Sequence, residues 1–166
     1  MKNKTSAKKR LMFIQKEDYN FLAYNLLILL DTLGCSDAGK KFRDFRKVAY
    51  LVDFINEGGD IQAYDQRELG IIYSRAQVKK KLLHHLLIIL KNKGYIGLDL
   101  NKTYRSIDVW INKNNIPEDF LNKPFFKSEI TNIIQLKTQF HSLKTVNMKD
   151  LTDKIFKDNN ILTWEV

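Results

Sequence analysis

The sequence contains one phosphate-binding motif, and that motif is incomplete. Residues 34–40 read GCSDAGK, which matches the first seven positions of a P-loop. The eighth position of a P-loop is Ser or Thr, whose hydroxyl reaches Mg²⁺, and this chain has Lys41 there. A P-loop also follows a β-strand directly, whereas the apolar run before Gly34 has the length of a helix. We therefore expect an ordinary loop between helices here.

Side chains that commonly bind metals or act as nucleophiles are few. The histidines are His84, His85 and His141, and no two of them stand four residues apart, the spacing of a helical metal site. The single cysteine, Cys35, has no paired base in the sequence and no partner for an intramolecular disulfide. The acidic residues form no convincing catalytic pair. The sequence thus predicts a non-catalytic chain with no metal, no cofactor and no small-molecule substrate.

Positive charge is the clearest chemical feature of the chain. The 166 residues include 28 Lys and Arg against 19 Asp and Glu, a net charge of +9, which favours a polyanionic partner. Residues 1–16 begin with a basic stretch and are interpreted as a solvated N-terminal arm. The longest apolar run, Phe21 to Leu30, is too short to cross a bilayer, and no secretion signal is recognisable. We expect a cytoplasmic protein without membrane contact.

Hydrophobic periodicity predicts a mostly helical α+β fold. A first helix is expected from Asp18 to Leu33, and a second is expected through the apolar positions between Phe42 and Ile55. The third helix is predicted to start at Ser74, which with Gln77 has capping-box spacing, and to stop at Gly94.

Two runs of alternating apolar and polar residues follow the third helix. They extend from Ile96 to Leu100 and from Ser106 to Ile111, and the polar residues 101–103 between them suit a hairpin turn. Helix, helix, capped helix and hairpin is the order of a winged helix-turn-helix, which we predict over residues 17–111. Residues 112–166 are predicted to be a C-terminal helical extension, with helices near 126–143 and 148–157.

The winged-helix interpretation suggests a surface for double-stranded DNA. The third helix of such a domain enters the major groove with its first residues toward the bases, so Arg75 and Gln77 would read bases. Lysines of this helix and cations of the hairpin would contact phosphates. The residues predicted to bind nucleic acid are Arg75, Gln77, Lys79, Lys80, Lys81, Lys102 and Arg105. Ordinary solvated lysines are the alternative explanation.

The third helix also carries apolar side chains over most of its circumference from Leu82 to Leu90. The first helix is similarly apolar, so a small domain needs its C-terminal extension or a partner chain to cover both helices. We therefore expect an assembly subunit or an obligate dimer. The predicted interface on the third helix consists of Leu82, Leu86, Ile89 and Leu90.

These segments together resemble a protein family. The succession LLILLDTLG, RKVAYLVDFINEGGD, YSRAQVKKKLLHHLLIILKNKGYI and SIDVWI is similar to the middle components of bacterial three-component ABC-ATPase systems. Those systems include the Lamassu anti-phage defence system, in which the middle component is the small subunit. The similarity covers about Asn20 to Leu143 and includes the pair Asp53-Phe54 on the second helix and Gly94 after the third.

The resemblance implies a non-catalytic winged-helix adaptor that joins an SMC-like ABC ATPase to an effector, such as a nuclease or a peptidase, with DNA as the sensed ligand. Asp53 and Phe54 would then belong to the partner interface. The alternative is a winged-helix transcriptional regulator that reads two DNA half-sites as a homodimer, because this class has the same fold.

Overall fold

The computed structural model describes residues 19–164. These residues form an α+β fold with five α-helices and one two-stranded antiparallel sheet, which confirms the predicted fold class. The predicted basic arm, residues 1–16, lies outside the described residues, as does the first residue of the predicted first helix, Asp18. The elements are α1 over residues 19–32, α2 Lys47–Glu57, α3 Gln66–Asn92, β1 Ile96–Asn101, β2 Ser106–Ile111, α4 Lys127–Gln139 and α5 Met148–Ile155.

Glycines end two of the helices where the sequence predicted them. Gly34 follows α1 with φ of +71°, and Gly94 follows α3 with φ of +75°. This left-handed conformation has no steric cost for glycine and lets the last helical carbonyls find donors. The N–H of Cys35 donates to Leu30, and the N–H of Tyr95 donates to Leu90. The chain can therefore reverse direction sharply after each helix.

Helix α3 begins at Gln66, so the predicted start at Ser74 was wrong. The Asp65 carboxylate accepts a hydrogen bond from the N–H of Glu68, and the Glu68 carboxylate accepts one from the N–H of Asp65, each at 2.8 Å. This reciprocal pair is a capping box with the same spacing as the one predicted nine positions later, at Ser74 and Gln77. Ser74 is an exposed residue within the helix. The lysines at 79–81 therefore lie in the middle of α3 and far from its N-terminal dipole.

The two strands form the predicted hairpin, with Ile96 opposite Ile111 and a turn over residues 102–105. The segment between α1 and α2 adds one antiparallel bridge to this sheet, from Phe42 to Val109. Asp108 on β2 is 2% exposed, and its carboxylate accepts hydrogen bonds from a backbone N–H, a serine hydroxyl and an asparagine amide. Asp108, one of the polar residues in the alternating pattern of β2, is thus buried and fully hydrogen-bonded.

A single hydrophobic core includes residues from the predicted winged-helix segment and from the C-terminal extension. Helix α2 lies at its centre, since residues 47–55 are all buried, and α4 and α5 both contact it. The extension also covers α1, where Phe120 and Phe126 pack on Tyr24 with ring centroids at 5.0 and 5.4 Å. This confirms that the extension helps to bury the first helix. No helix within residues 19–164 has both the length and the apolar character needed to span a membrane.

Candidate functional site

The loop with P-loop-like sequence has its polar groups engaged within the chain. Helix α1 precedes it where a P-loop has a strand. The Asp37 carboxylate accepts the N–H of Gly39 at 2.8 Å, and the Asp37 carbonyl accepts the N–H of Lys40 at 2.9 Å. Lys41, which replaces the Ser or Thr of the motif, forms an ion pair with Asp99 on β1. The loop is a tight connection between α1 and α2 that is tied to the hairpin.

Cys35 and His84 are packed against other parts of the chain. Cys35 is fully buried, and burial raises the pKa of its thiol to about 11, so the thiol stays protonated at neutral pH. The His84 ring packs edge-on against Phe45 at a centroid distance of 5.0 Å. Within the described range, His, Cys, Asp and Glu side chains form no group of three placed to hold a metal ion.

The structure distributes the seven predicted DNA-binding residues over several surfaces. Gln77 is half-buried and its amide donates to the backbone of α3 at 3.0 Å. The ammonium group of Lys79 lies 2.7 Å from the carboxylate of Asp53, and the side chains are 18% and 11% exposed. Arg75 and Lys81 lie on the outer, exposed face of α3. Arg75 and Gln77, which were predicted to read bases together, therefore lie on different sides of α3, as do Lys79 and Lys81.

Lys80 and Arg105, by contrast, line a common groove. This groove of about 450 Å³ lies between α3, the hairpin turn, α5 and the C-terminal segment. Lys102 is exposed on the same hairpin turn but does not line the groove. The cationic residues that line the groove are Arg46, Lys80, Arg105, Lys149 and Lys157.

Two aromatic side chains lie at exposed positions of this groove. Tyr104 on the hairpin turn is 44% exposed, and Trp164 in the C-terminal segment is 47% exposed. The Tyr73 hydroxyl fixes that segment on α3, because it donates to the carbonyl of Trp164 at 2.7 Å and accepts its N–H at 2.8 Å. Trp164 and Lys157 are not among the site residues predicted from the sequence. The sequence feature that could have indicated them is a cation and an aromatic residue close together near the C-terminus.

Most of the predicted partner-interface residues lie inside the chain. Helix α3 turns Leu86 and Leu90 toward the core, because residues four apart share one face of a helix. The buried members of the predicted interface are Asp53, Phe54, Leu86 and Leu90, which are at most 8% exposed. Leu82 is half-buried and Ile89 is 46% exposed, so these two are accessible to a partner.

An apolar stripe runs along the outer face of α3. It consists of Ile71, Val78, Leu82 and Ile89, whose intervals of seven, four and seven residues place them on one side of the helix. Ile71 and Val78 are not among the interface residues predicted from the sequence, and they are 43% and 63% exposed. At 1.5 Å per residue the stripe is about 27 Å long. Arg75 lies beside it, so the apolar surface has a basic border.

Comparisons with known proteins found a partial similarity. The chain is 32% identical over 92 residues to Protein Ycf2 from Physcomitrium patens, a match that covers 54% of this chain and 4% of that protein. The chain thus spans a small fraction of the length of the curated relative that it matches. No protein-family model matches the sequence, and no solved structure matches the fold.

Proposed function

We propose that this chain is a non-catalytic adaptor subunit that binds a larger protein through the outer face of α3. The observation that carries the proposal is the apolar stripe, Ile71, Val78, Leu82 and Ile89. An ordinary surface helix turns its apolar residues to its own core and polar residues to water. Helix α3 has a fully formed buried face and carries this stripe along the edge of that face, where Ile71, Val78 and Ile89 are exposed, so the stripe is available to a second protein.

Charge complementarity points to the chemistry of that partner. The exposed residues of α3 include Arg67, Arg75, Lys81 and Lys91, and Glu68 is the one acid among them. An amphipathic helix with an apolar stripe and acidic borders would bury the apolar side chains and pair with the cations along the rim. We therefore propose such a helix, on an unlike chain, as the occupant of this face.

The winged-helix interpretation belongs to the same proposal. Three helices precede the hairpin, and the bridge from Phe42 to Val109 adds a short third strand from between α1 and α2. This arrangement is compatible with a winged helix. The resemblance to middle components of three-component ABC-ATPase systems then suggests the partners, namely an SMC-like ABC ATPase and an effector, either a nuclease or a peptidase, in a bacterial anti-phage defence complex.

The stripe also bears on the alternative, a homodimeric transcriptional regulator. A recognition helix in the DNA major groove presents polar side chains to base edges and phosphates. The stripe would instead place Val78 and Ile89 against those polar groups, with Arg75 and Lys81 as the cations nearby. The outer face of α3 therefore favours a protein partner over duplex DNA.

Tagged purification from the native host tests the proposal. We expect stoichiometric recovery, identified by mass spectrometry, of an SMC-like ATPase together with a second large protein. The double variant Val78→Glu/Ile89→Glu should lose both proteins, because it places carboxylates in the apolar stripe. The matched control is Ile134→Glu, since Ile134 is an exposed apolar residue on α4, 52% exposed, and this variant should retain them.

Circular dichroism and thermal unfolding of all variants establish that they are folded. Recovery of a homodimer alone from the wild-type chain would overturn the adaptor proposal and favour the regulator. Equal recovery with the wild-type chain and the double variant would show that the partner binds elsewhere, and would remove the outer face of α3 from the proposal.

A further inference from the structure

We infer that the groove between α3, the hairpin turn, α5 and the C-terminal segment binds single-stranded nucleic acid. The groove is separate from the apolar stripe, since none of the stripe residues lines it. The inference is therefore independent of the adaptor proposal. It rests on the charge, the aromatic surfaces and the shape of the groove.

The groove has an excess of positive charge available to phosphates. Five cationic side chains line it, and Asp153 is the one carboxylate in the lining. Arg46 pairs with Asp44 at 2.7 Å and Lys149 pairs with Asp153 at 2.9 Å, so part of the positive charge is already compensated. Arg105 and Lys157 form no ion pair within residues 19–164. These two cations lie in different elements and both line the groove, so both are available to the phosphates of one bound strand.

Two cations lie beside aromatic rings of the groove: Arg43, from the segment between α1 and α2, and Lys80, one of the five groove cations, on α3. The Arg43 guanidinium lies 4.3 Å from the centroid of the Tyr104 ring, and the Lys80 ammonium lies 5.3 Å from that of Tyr50. The attraction between a cation and the face of an aromatic ring restrains both side chains. The ring of Tyr104 is thus held in place and still 44% exposed, which is what a stacking surface for a base requires.

Trp164 provides a second aromatic surface in the groove. Its ring packs edge-on against Tyr73 at 4.8 Å, and its backbone is hydrogen-bonded to the Tyr73 hydroxyl in both directions. The indole is 47% exposed. Base stacking on such a ring is tolerant of sequence because every base has a flat aromatic face.

The combination of two exposed rings with cations favours unpaired bases over a duplex. Bases of a duplex are stacked on one another, and only phosphates and groove edges are accessible to a shallow surface. Duplex DNA would use the cations of the groove and leave Tyr104 and Trp164 without a role. An adjoining depression of about 350 Å³ shares Arg46, Tyr104 and Lys149 with the groove, so a strand can continue from one to the other.

Fluorescence anisotropy with the full-length chain tests the inference. The probes are labelled oligodeoxythymidylate and oligouridylate of about 12 nucleotides and a DNA duplex of the same length, each measured at about 50 and 200 mM salt. We expect both single strands to bind more tightly than the duplex. The two single-stranded probes distinguish DNA from RNA.

Paired variants separate the groove from the general positive charge of the chain. Arg105→Glu should weaken single-strand binding by about tenfold or more. Lys102→Glu makes the same charge change in the same hairpin turn outside the groove, and it should have a much smaller effect. Tyr104→Ala should weaken binding by about fivefold or more, whereas Phe125→Ala, at an exposed aromatic residue outside the groove, should not.

If Tyr104→Ala disturbs the hairpin turn, Trp164→Ala provides a second aromatic variant. In the wild-type chain, binding of single strands should quench the fluorescence of Trp164. Equal losses for Arg105→Glu and Lys102→Glu would overturn the inference. So would duplex binding as tight as single-strand binding with no effect of Tyr104→Ala or Trp164→Ala, because that result indicates sequence-blind phosphate attraction without stacking.

Discussion

The ammonium nitrogen of Lys79 lies 2.7 Å from a carboxylate oxygen of Asp53, and this ion pair joins α3 to α2. Both side chains are mostly buried. The other carboxylate oxygen of Asp53 is buried and has no hydrogen-bond partner within the described chain. Asp53 therefore depends on Lys79 for its counter-charge, and the pair stabilises the packing of the two helices.

Lys79→Gln is expected to lower the free energy of unfolding by about 3 kcal/mol, because the variant leaves a buried carboxylate without a counter-charge. Lys81→Gln makes the same change at an exposed position two residues along α3 and should alter stability by less than about 0.5 kcal/mol. Urea unfolding followed by circular dichroism measures both. Equal effects of the two substitutions would show that the ion pair does not contribute to stability.

Lys47 is a fully buried lysine that links α2 to the segment after α4. Its ammonium group donates hydrogen bonds to the carbonyl oxygens of Leu143 and Val146, each at 2.7 Å, and lies 4.2 Å from the centroid of the Phe42 ring. Burial is the largest influence and lowers the pKa of Lys47 to about 7, from the ordinary value of 10.5.

This shift predicts a rise in stability with pH. Between pH 7 and 10.5 the unfolded chain holds a proton on Lys47 that the folded chain has released, so raising the pH through this window favours the folded state. The slope is at most about 1.4 kcal/mol per pH unit. Urea unfolding of the wild-type chain and Lys47→Met at several values in this window measures it. A rise of the same size in the variant would contradict the assignment to Lys47.

Two glycines are expected to respond to alanine substitution in opposite directions. A Cβ atom at Gly59 would overlap the backbone carbonyl of Asn132 on α4, so Gly59→Ala should destabilise the chain by about 1–3 kcal/mol. Gly70 lies inside α3, where an added Cβ would meet only the Ile161 side chain at 3.8 Å. Gly70→Ala should therefore stabilise the chain by about 0.5–1 kcal/mol. Thermal unfolding that shifts in the same direction for both would contradict this packing.

The buried thiol of Cys35 should not react with an aromatic disulfide reagent at pH 8 in the native protein, and it should react once urea unfolds the chain. The pKa of about 11 and the lack of exposure both act against attack by the thiolate. The double variant Cys35→Ser/Ser36→Cys moves the thiol to the adjacent exposed position and should react rapidly without urea. Rapid reaction of the native wild-type thiol would indicate frequent opening of the core around Cys35.

Local sequence signals were sufficient for the fold class and for several element boundaries. Periodicity predicted the helices and the hairpin, and the glycines at 34 and 94 predicted two helix ends, because these features depend on residues close together in the chain. The start of α3 was predicted incorrectly because Asp65-Glu68 and Ser74-Gln77 have the same capping spacing. Which of the two pairs caps the helix depends on the residue at which the preceding turn ends.

The sequence by itself determined the helical content, the hairpin, the positive charge and the apolar excess of the third helix. Only the tertiary structure decided which of those apolar residues are covered, since α2 and the C-terminal segment bury one side of α3 and leave Val78 and Ile89 exposed. It also decided that Lys79 pairs with Asp53, whereas Lys80 reaches the groove of Arg105. Neighbouring residues on a helix point about 100° apart, so contacts from distant parts of the chain give them different environments.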